Sequence, residues 1–158
     1  MNYYIDTHTQ KKSSFVEEEY FPAIIDFDGE ELNNSFIEFK YNDSDMFELS
    51  VDKDSHILKR FCLTLCNHCS FEEVSLHVPN CDEGVLYFYE PNTIECETFS
   101  LTVYTNGIKL QTSIKSLSSH IKCGQVIFAF TDSEELGAIL ITELTKDEIL
   151  HVKNELLN

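Results

Sequence analysis

Alternation of apolar and polar residues runs through much of the chain and predicts short β-strands. Residues 35–41 (SFIEFKY) and 46–51 (MFELSV) alternate on either side of the polar segment 42–45. A period of two is typical of a half-buried strand, and Asn, Asp and Ser favour turns, so these segments predict an antiparallel hairpin. Residues 72–78 and 84–90 show a similar pattern and predict a second antiparallel pair.

The clearest hairpin signal is Asn106-Gly107, which lies between two alternating runs in ETFSLTVYTNGIKLQTSI. Asn-Gly favours a two-residue turn, and such a turn would pair Val103 with Leu110 and Leu101 with Thr112. All of the resulting pairs fall on one face of the hairpin, so the predicted register agrees with the hydrophobic pattern.

The last third of the chain predicts a buried hairpin followed by a helix. The apolar runs 125–130 and 137–142 flank an acidic loop and predict two strands that are buried on both faces. Thr145 followed by Glu148 is the signature of a capping box, and it predicts a C-terminal helix over 145–157.

The stretch CLTLCNHC, residues 62–69, carries three of the six cysteines and is compatible with a helix or a strand. Its apolar positions recur at helical spacing and predict a core helix near 55–69. These positions are Leu58, Phe61, Cys62, Leu65, Cys66 and Cys69. The alternative is a strand with Phe61, Leu63 and Leu65 directed inward. Ser14 and Glu17 predict a further, short helix that Pro22 ends.

These elements predict an α+β fold with a predominantly antiparallel β-sheet. The strands are connected by hairpins, and the sheet is curved or forms a sandwich. The core helix near 55–69 and the C-terminal helix 145–157 complete it. No linker, repeat or low-complexity segment interrupts the 158 residues, so we expect one domain over 1–158.

The net charge and its distribution say more about the partner than any motif does. The net charge is −17, and residues 13–52 hold twelve acidic residues and one basic residue, Lys40. A field of this sign repels nucleic acid and anionic membranes, and it attracts a basic partner. We therefore expect a basic protein as partner, and neither nucleic acid nor membrane.

The cysteines leave open one metal site. Cys66, Cys69, His77 and Cys81 offer three sulfur ligands and one nitrogen ligand, a set that tetrahedral zinc accepts. A zinc-stabilised interaction module is therefore the alternative to a protein without metal or other cofactor. The spacing of Cys62, Cys66 and Cys69 also resembles that of radical S-adenosylmethionine enzymes, but those need a large α/β barrel that this pattern of hairpins does not predict.

Catalytic and targeting signals are absent from the sequence. It contains no nucleophile elbow, phosphate-binding glycine loop or zinc-protease motif, so we expect a binding protein and not an enzyme. No apolar run is long enough to span a bilayer, and the first residues do not follow the pattern of a secretory signal. We therefore expect a cytoplasmic protein with reduced cysteines.

The C-terminal third carries a family resemblance. The segments LTVYTNGIKLQ and SHIKCGQVIFAFTDSEELGAILITELTKDEI resemble the immunity proteins that bacteria pair with polymorphic toxins, such as those of contact-dependent growth inhibition. The resemblance implies a protein that binds a cognate nuclease toxin and covers its active site or its nucleic-acid path. An acidic surface suits this role, because nuclease clefts are basic. The predicted contact residues are Glu17, Glu18, Glu19, Asp26, Asp28, Glu30, Glu31, Asp43 and Asp45.

Overall fold

The computed structural model describes residues 3–7, 11–27, 33–89 and 92–157, and these form fifteen strands and one helix. The strands are β1 (Tyr3–Asp6), β2 (Ser13–Glu18), β3 (Phe21–Phe27), β4 (Asn34–Tyr41), β5 (Asp45–Asp52), β6 (Leu58–Leu65), β7 (Cys69–Phe71), β8 (Asp82–Glu83), β9 (Val85–Phe88), β10 (Thr93–Glu95), β11 (Ser100–Val103), β12 (Ile108–Gln111), β13 (Leu117–Cys123), β14 (Val126–Thr131) and β15 (Leu136–Ile141). The helix, α1, spans Lys146–Leu156.

Two large sheets and one ribbon organise these strands. The six-stranded sheet has the order β10-β4-β5-β6-β3-β2, and the seven-stranded sheet has the order β7-β11-β12-β15-β14-β13-β8. Strands β1 and β9 form an antiparallel ribbon. Most neighbours are antiparallel, and the parallel pairs lie at sheet edges. The predicted α+β fold with a predominantly antiparallel sheet is therefore confirmed.

The two large sheets share one hydrophobic core. Alternate residues of β4 and β5 enter it from the six-stranded sheet, while Val126 and Phe128 enter it from β14. Aromatic rings meet across the sheets: the centroids of Phe27 and Phe128 are 6.3 Å apart, and those of Phe47 and Phe99 are 6.4 Å apart. Burial of this much aromatic surface is the main stabilising contribution to the fold.

The hairpins predicted at 35–51 and 125–142 are confirmed as β4–β5 and β14–β15. The C-terminal helix is confirmed as well. The side chain of Thr145 accepts a hydrogen bond from the backbone N–H of Glu148, and the Glu148 side chain accepts one from the backbone N–H of Thr145. In the described part of the chain, no helix is long and apolar enough to cross a membrane.

The core helix predicted near 55–69 is wrong, because residues 58–65 form strand β6 and Cys69 begins strand β7. β6 pairs with β5 on one side and with β3 on the other. Phe61 and Leu63 are fully buried in the core, whereas Cys62 between them lies on the opposite face and is half-buried. Hydrogen bonds to two neighbouring strands therefore decide a pattern that the sequence leaves ambiguous.

Two further predictions of local structure are wrong. The helix predicted from Ser14 is strand β2, which pairs with β3. Residues 72–78 form no strand; they lie across the outer surface of the seven-stranded sheet, where Leu76 packs in a second apolar cluster with Ile127 and Leu140. This cover explains why β14 and β15 are buried on both faces.

The hairpin around Asn106-Gly107 forms with a longer turn than predicted. Val103 pairs with Ile108 and Leu101 with Leu110, so the register is shifted by two residues. A shift of two keeps the same residues on the buried face, which is why the hydrophobic pattern did not reveal it. Gly107 is needed for close approach: a Cβ atom there would lie 2.5 Å from the carbonyl oxygen of Ile141 and 2.8 Å from Leu76.

We predict that Gly107→Ala destabilises the protein by roughly 1–3 kcal/mol, because the added methyl group overlaps backbone that cannot move freely. Thr105→Ala is the matched control, since Thr105 is exposed in the same turn, and it should change stability by less than about 0.5 kcal/mol. Urea denaturation of the two variants and the wild type measures both effects. Equal stability of the two variants would contradict the proposed packing of the turn.

Candidate interaction surface

The structure describes six of the nine acidic residues predicted as contacts, and these six lie in different parts of the fold. Glu17, Glu18 and Glu19 are exposed at the end of β2. Asp43 is exposed in the turn between β4 and β5. Asp28, Glu30 and Glu31 lie outside the described residues.

Asp26 and Asp45 are engaged inside the protein. The Asp26 carboxylate forms an ion pair with Arg60 across β3 and β6, with Nε–Oδ1 and Nη2–Oδ2 distances of 2.5 and 3.2 Å. Asp45 is 1% exposed. Asp45 therefore cannot contact a partner, and the negative charge of Asp26 is offset by its own arginine.

The six-stranded sheet carries Glu18, which was predicted as a contact, and two acidic residues that were not, Glu38 and Glu48. Residues alternate along each strand, so those between the core residues of β4 and β5 lie on the face away from the core. On that face Glu38 is directly opposite Glu48, and Glu48 is directly opposite Cys62. Burial, and then the charges of Glu48 and Glu18, raise the pKa of the Cys62 thiol, and the charge of Arg60 opposes them. We call this group, Glu18, Glu38 and Glu48 around Cys62, the acidic face.

A lysine and an arginine near the acidic face form ion pairs with other residues. The nearby cation Lys40 is 3.6 Å from Glu95, and Arg60 is paired with Asp26. Among the described residues, no lysine or arginine forms an ion pair with Glu38 or Glu48. Partial burial, and then the neighbouring charge of Glu38, raise the pKa of Glu48. The folded protein therefore holds two carboxylates together at a free-energy cost.

Sequence reasoning missed the pair of Glu38 and Glu48, although the alternation indicated the face on which each of them lies. The alternation in residues 35–41 and 46–51 places Glu38 and Glu48 on the polar side of their strands. The turn is residues 42–44 and pairs Tyr41 with Asp45, which places Glu38 opposite Glu48. A turn at 42–45, as predicted from the sequence, would instead place Glu38 opposite Leu49. Two acidic residues opposite each other in a hairpin are unfavourable. The electrostatic repulsion within this pair distinguishes it from exposed acidic residues that lie far from one another.

Asp45 has a structural role at the link between the two sheets. Its Oδ1 accepts hydrogen bonds from the backbone N–H groups of Asn67 and His68, at 2.7 and 3.1 Å. Its Oδ2 contacts Ser44 Oγ and His68 Nδ1, each at 2.6 Å. Burial by itself would raise the pKa of Asp45, but these hydrogen bonds outweigh it and hold the pKa below 3.8.

The cysteines do not form the predicted zinc site. Cys66 and Cys69 pack against the main core, whereas Cys81 packs in the second apolar cluster and His77 is exposed. Within residues 3–7, 11–27, 33–89 and 92–157, no three side chains of His, Cys, Asp or Glu are grouped so that they could hold a metal ion. The four proposed ligands lie on different parts of the fold because residues 72–81 cross to the far surface of the seven-stranded sheet.

Comparison with family models and curated proteins identified no relative of the chain. No protein-family model matches the chain, and no curated protein matches it in sequence. The function therefore has to be argued from the surface itself.

We predict that Asp45→Asn destabilises the protein by roughly 1–3 kcal/mol at pH 7, because the amide replaces an acceptor of several hydrogen bonds. The pKa of Asp45 is lowered in the folded state, so its contribution is present above its ordinary pKa of 3.8 and is lost as pH falls through the lower folded value. Denaturation at pH 7 and at acidic pH measures this change. Asp43→Asn, in the same turn but exposed, should have little effect at either pH.

We also predict that the buried thiols react slowly in the native protein. Burial raises the pKa of Cys62, Cys66 and Cys96 to about 12 and that of Cys123 to about 11. Since the thiolate is the reactive form, a disulfide reagent at pH 8 should modify them quickly only in urea. Peptide mass spectrometry identifies which thiols react. Rapid native labelling of Cys66 would contradict the burial described here.

Proposed function

We propose that this chain is an acidic binding protein that neutralises a basic partner, and that the partner is a nuclease toxin. In this role it would act as an immunity protein, in line with the resemblance of its C-terminal third to those of contact-dependent growth inhibition. The observation that carries the proposal is the cross-strand pair of Glu38 and Glu48 on the acidic face.

The pair supports binding because it is unfavourable in the free protein. Two like charges that face each other across a hairpin destabilise it, and no described lysine or arginine forms an ion pair with either of them. An arginine or lysine from a partner would remove the repulsion on binding. A binding surface is expected to destabilise the free protein and to be stabilised by its partner, since residues that serve function often reduce stability.

A nuclease suits the charge distribution better than other basic proteins do. Its cleft must bind phosphates and is therefore positively charged, so a row of carboxylates can occupy the path of the nucleic acid. Complementary charge also speeds association, which an inhibitor of a lethal enzyme requires. The chain would act in the cytoplasm, where the nucleic acid of the cell is exposed to the toxin.

The exposed residues Glu17, Glu18, Glu19 and Asp43 extend the proposed surface. Glu18 links the two parts, because it lies at the end of β2 and its charge acts on the Cys62 thiol. Phe36 lies on the same side of β4 as Glu38 and is 54% exposed. An exposed aromatic ring beside unpaired charges is typical of the central contacts in protein interfaces.

We predict that Glu48→Gln makes the free protein more stable at pH 7, by up to about 1 kcal/mol. The pKa of Glu48 is raised in the folded state, so its ionisation lowers stability as pH rises through that value. The gain should therefore be absent at pH 3, where the wild-type carboxyl is also neutral. Thermal denaturation at both pH values measures it. Glu72→Gln, at an exposed position after β7, is the control and should show no such gain.

A double variant of the same pair tests the function. The wild-type chain, immobilised in low salt, should retain one basic protein stoichiometrically from its native cell, and the retained protein should lose nuclease activity when the chain is added. The double variant Glu38→Gln, Glu48→Gln should bind that protein at least tenfold more weakly, which corresponds to about 1.4 kcal/mol. If the retained protein has no nuclease activity, the toxin assignment is wrong. If the double variant binds as tightly as the wild type, the acidic face is not the contact surface.

A further inference from the structure

A cleft lies beside the acidic face, between the two large sheets. It has a volume of about 360 Å³, within the range of roughly 300–1,000 Å³ that is typical of ligand sites. One wall is β10 with the residues that follow it, Cys96 and Glu97. The opposite wall is the segment after β12, residues 112–115, together with the start of β15.

The cleft combines an apolar interior with an acidic rim. Phe39, Ile94 and Leu136 supply apolar surface, and the first and last of these are buried in the core. The rim carries three carboxylates, from Glu95, Glu97 and Glu135, and a single cation, Lys115. Lys115 Nζ is 3.3 Å from Glu135 Oε2 and also acts on the charge of Glu97, while Glu95 pairs with Lys40. Within the cleft, three carboxylates therefore share the single cation Lys115, and the rim has a net negative charge.

Glu97 is held in place through one of its two carboxylate oxygens. Ser113 Oγ and the backbone N–H of Ile114 both donate to Oε1 of Glu97. Oε2 has no hydrogen-bond partner among the described residues. The hydrogen bond from Ser113, together with that from Ile114, lowers the pKa of Glu97, so the carboxylate is charged at neutral pH. The cleft therefore presents an oriented negative acceptor.

The edge strand β10 separates the cleft from the acidic face. Strand β10 runs parallel to β4, with Thr93 beside Glu38 and Glu95 beside Lys40. Glu95 thus belongs to the rim of the cleft and to the strand next to Glu38. A partner that covers Glu38 and Glu48 would reach the cleft by crossing a single strand.

We propose that this cleft is a socket for one arginine or lysine side chain of the basic partner, with the alkyl stem against Ile94 and Leu136 and the cationic end at Glu97. This assignment rests on the function proposed above. Arginine and lysine bury an apolar stem while the charged end stays among polar groups, which is the combination that the cleft offers. The net negative charge of the rim attracts a cation and would repel an anion.

The first test uses a side-chain mimic and needs no partner. The isolated full-length chain is titrated with n-butylguanidinium, and with n-butanol as the neutral mimic, while backbone amide shifts are recorded by NMR. We expect saturable shifts at Glu97, Ile114 and Lys115 with the cation and none that saturate with the alcohol. Glu97→Gln keeps an acceptor for Ser113 and should weaken binding of the cation about tenfold, as expected for loss of a charged partner. Glu72→Gln should bind as the wild type does.

Failure of the socket and failure of the proposed function give different results. If n-butylguanidinium causes no saturable shift, or if Glu97→Gln binds it unchanged, the socket is wrong, whatever the acidic face does. If the mimic binds as expected but Glu97→Gln binds the retained basic protein as tightly as the wild type, the cleft does not take a side chain of the partner. The double variant Glu38→Gln, Glu48→Gln should bind the mimic normally, so a loss of partner binding in that variant alone reports on the acidic face.

Discussion

The buried carboxylate of Asp45 fixes the point at which the chain passes from one sheet to the other. Strand β6 belongs to the six-stranded sheet and β7 to the seven-stranded sheet, and only residues 66–68 separate them. Asp45 binds the backbone N–H groups of two of these three residues and the ring of His68. The shared core can close only if the two sheets meet at a defined place, and this carboxylate defines it at the turn of the β4–β5 hairpin.

This role explains why CLTLCNHC was hard to interpret from the sequence. Its cysteines and leucines recur at helical spacing, and cysteine behaves as a small hydrophobic residue, so a helix was a reasonable prediction. The strand alternative, with Phe61 and Leu63 inward, is the one that forms, although Leu65 is largely exposed at its end. The choice depends on β5 and β3, which are distant in sequence, and on Asp45, whose importance no local pattern indicates.

Elements whose partners are adjacent in sequence could be predicted, and those whose partners are remote could not. The β4–β5 and β14–β15 hairpins and the cap of α1 depend on contacts within a few residues. In contrast, β9 pairs with β1, and residues 72–78 cover β14 and β15. For the hairpin at Asn106-Gly107 the face was predicted correctly and the register was not, since Gly107 serves close packing against Ile141 and not a two-residue turn.

The acidic residues at the end of β2 and those on β4 and β5 have different structural explanations. Glu17, Glu18 and Glu19 lie at the end of β2, an edge strand with an irregular register near Val16, and charge combined with a bulge protects an edge from pairing with other chains. Glu38 and Glu48 lie on interior strands, where no edge needs protection. Their repulsion has no benefit for the free fold, and a small polar residue at either position would avoid it. The pair that was not predicted is therefore the stronger evidence for a basic partner, while Glu17 and Glu19 are also explained by the edge.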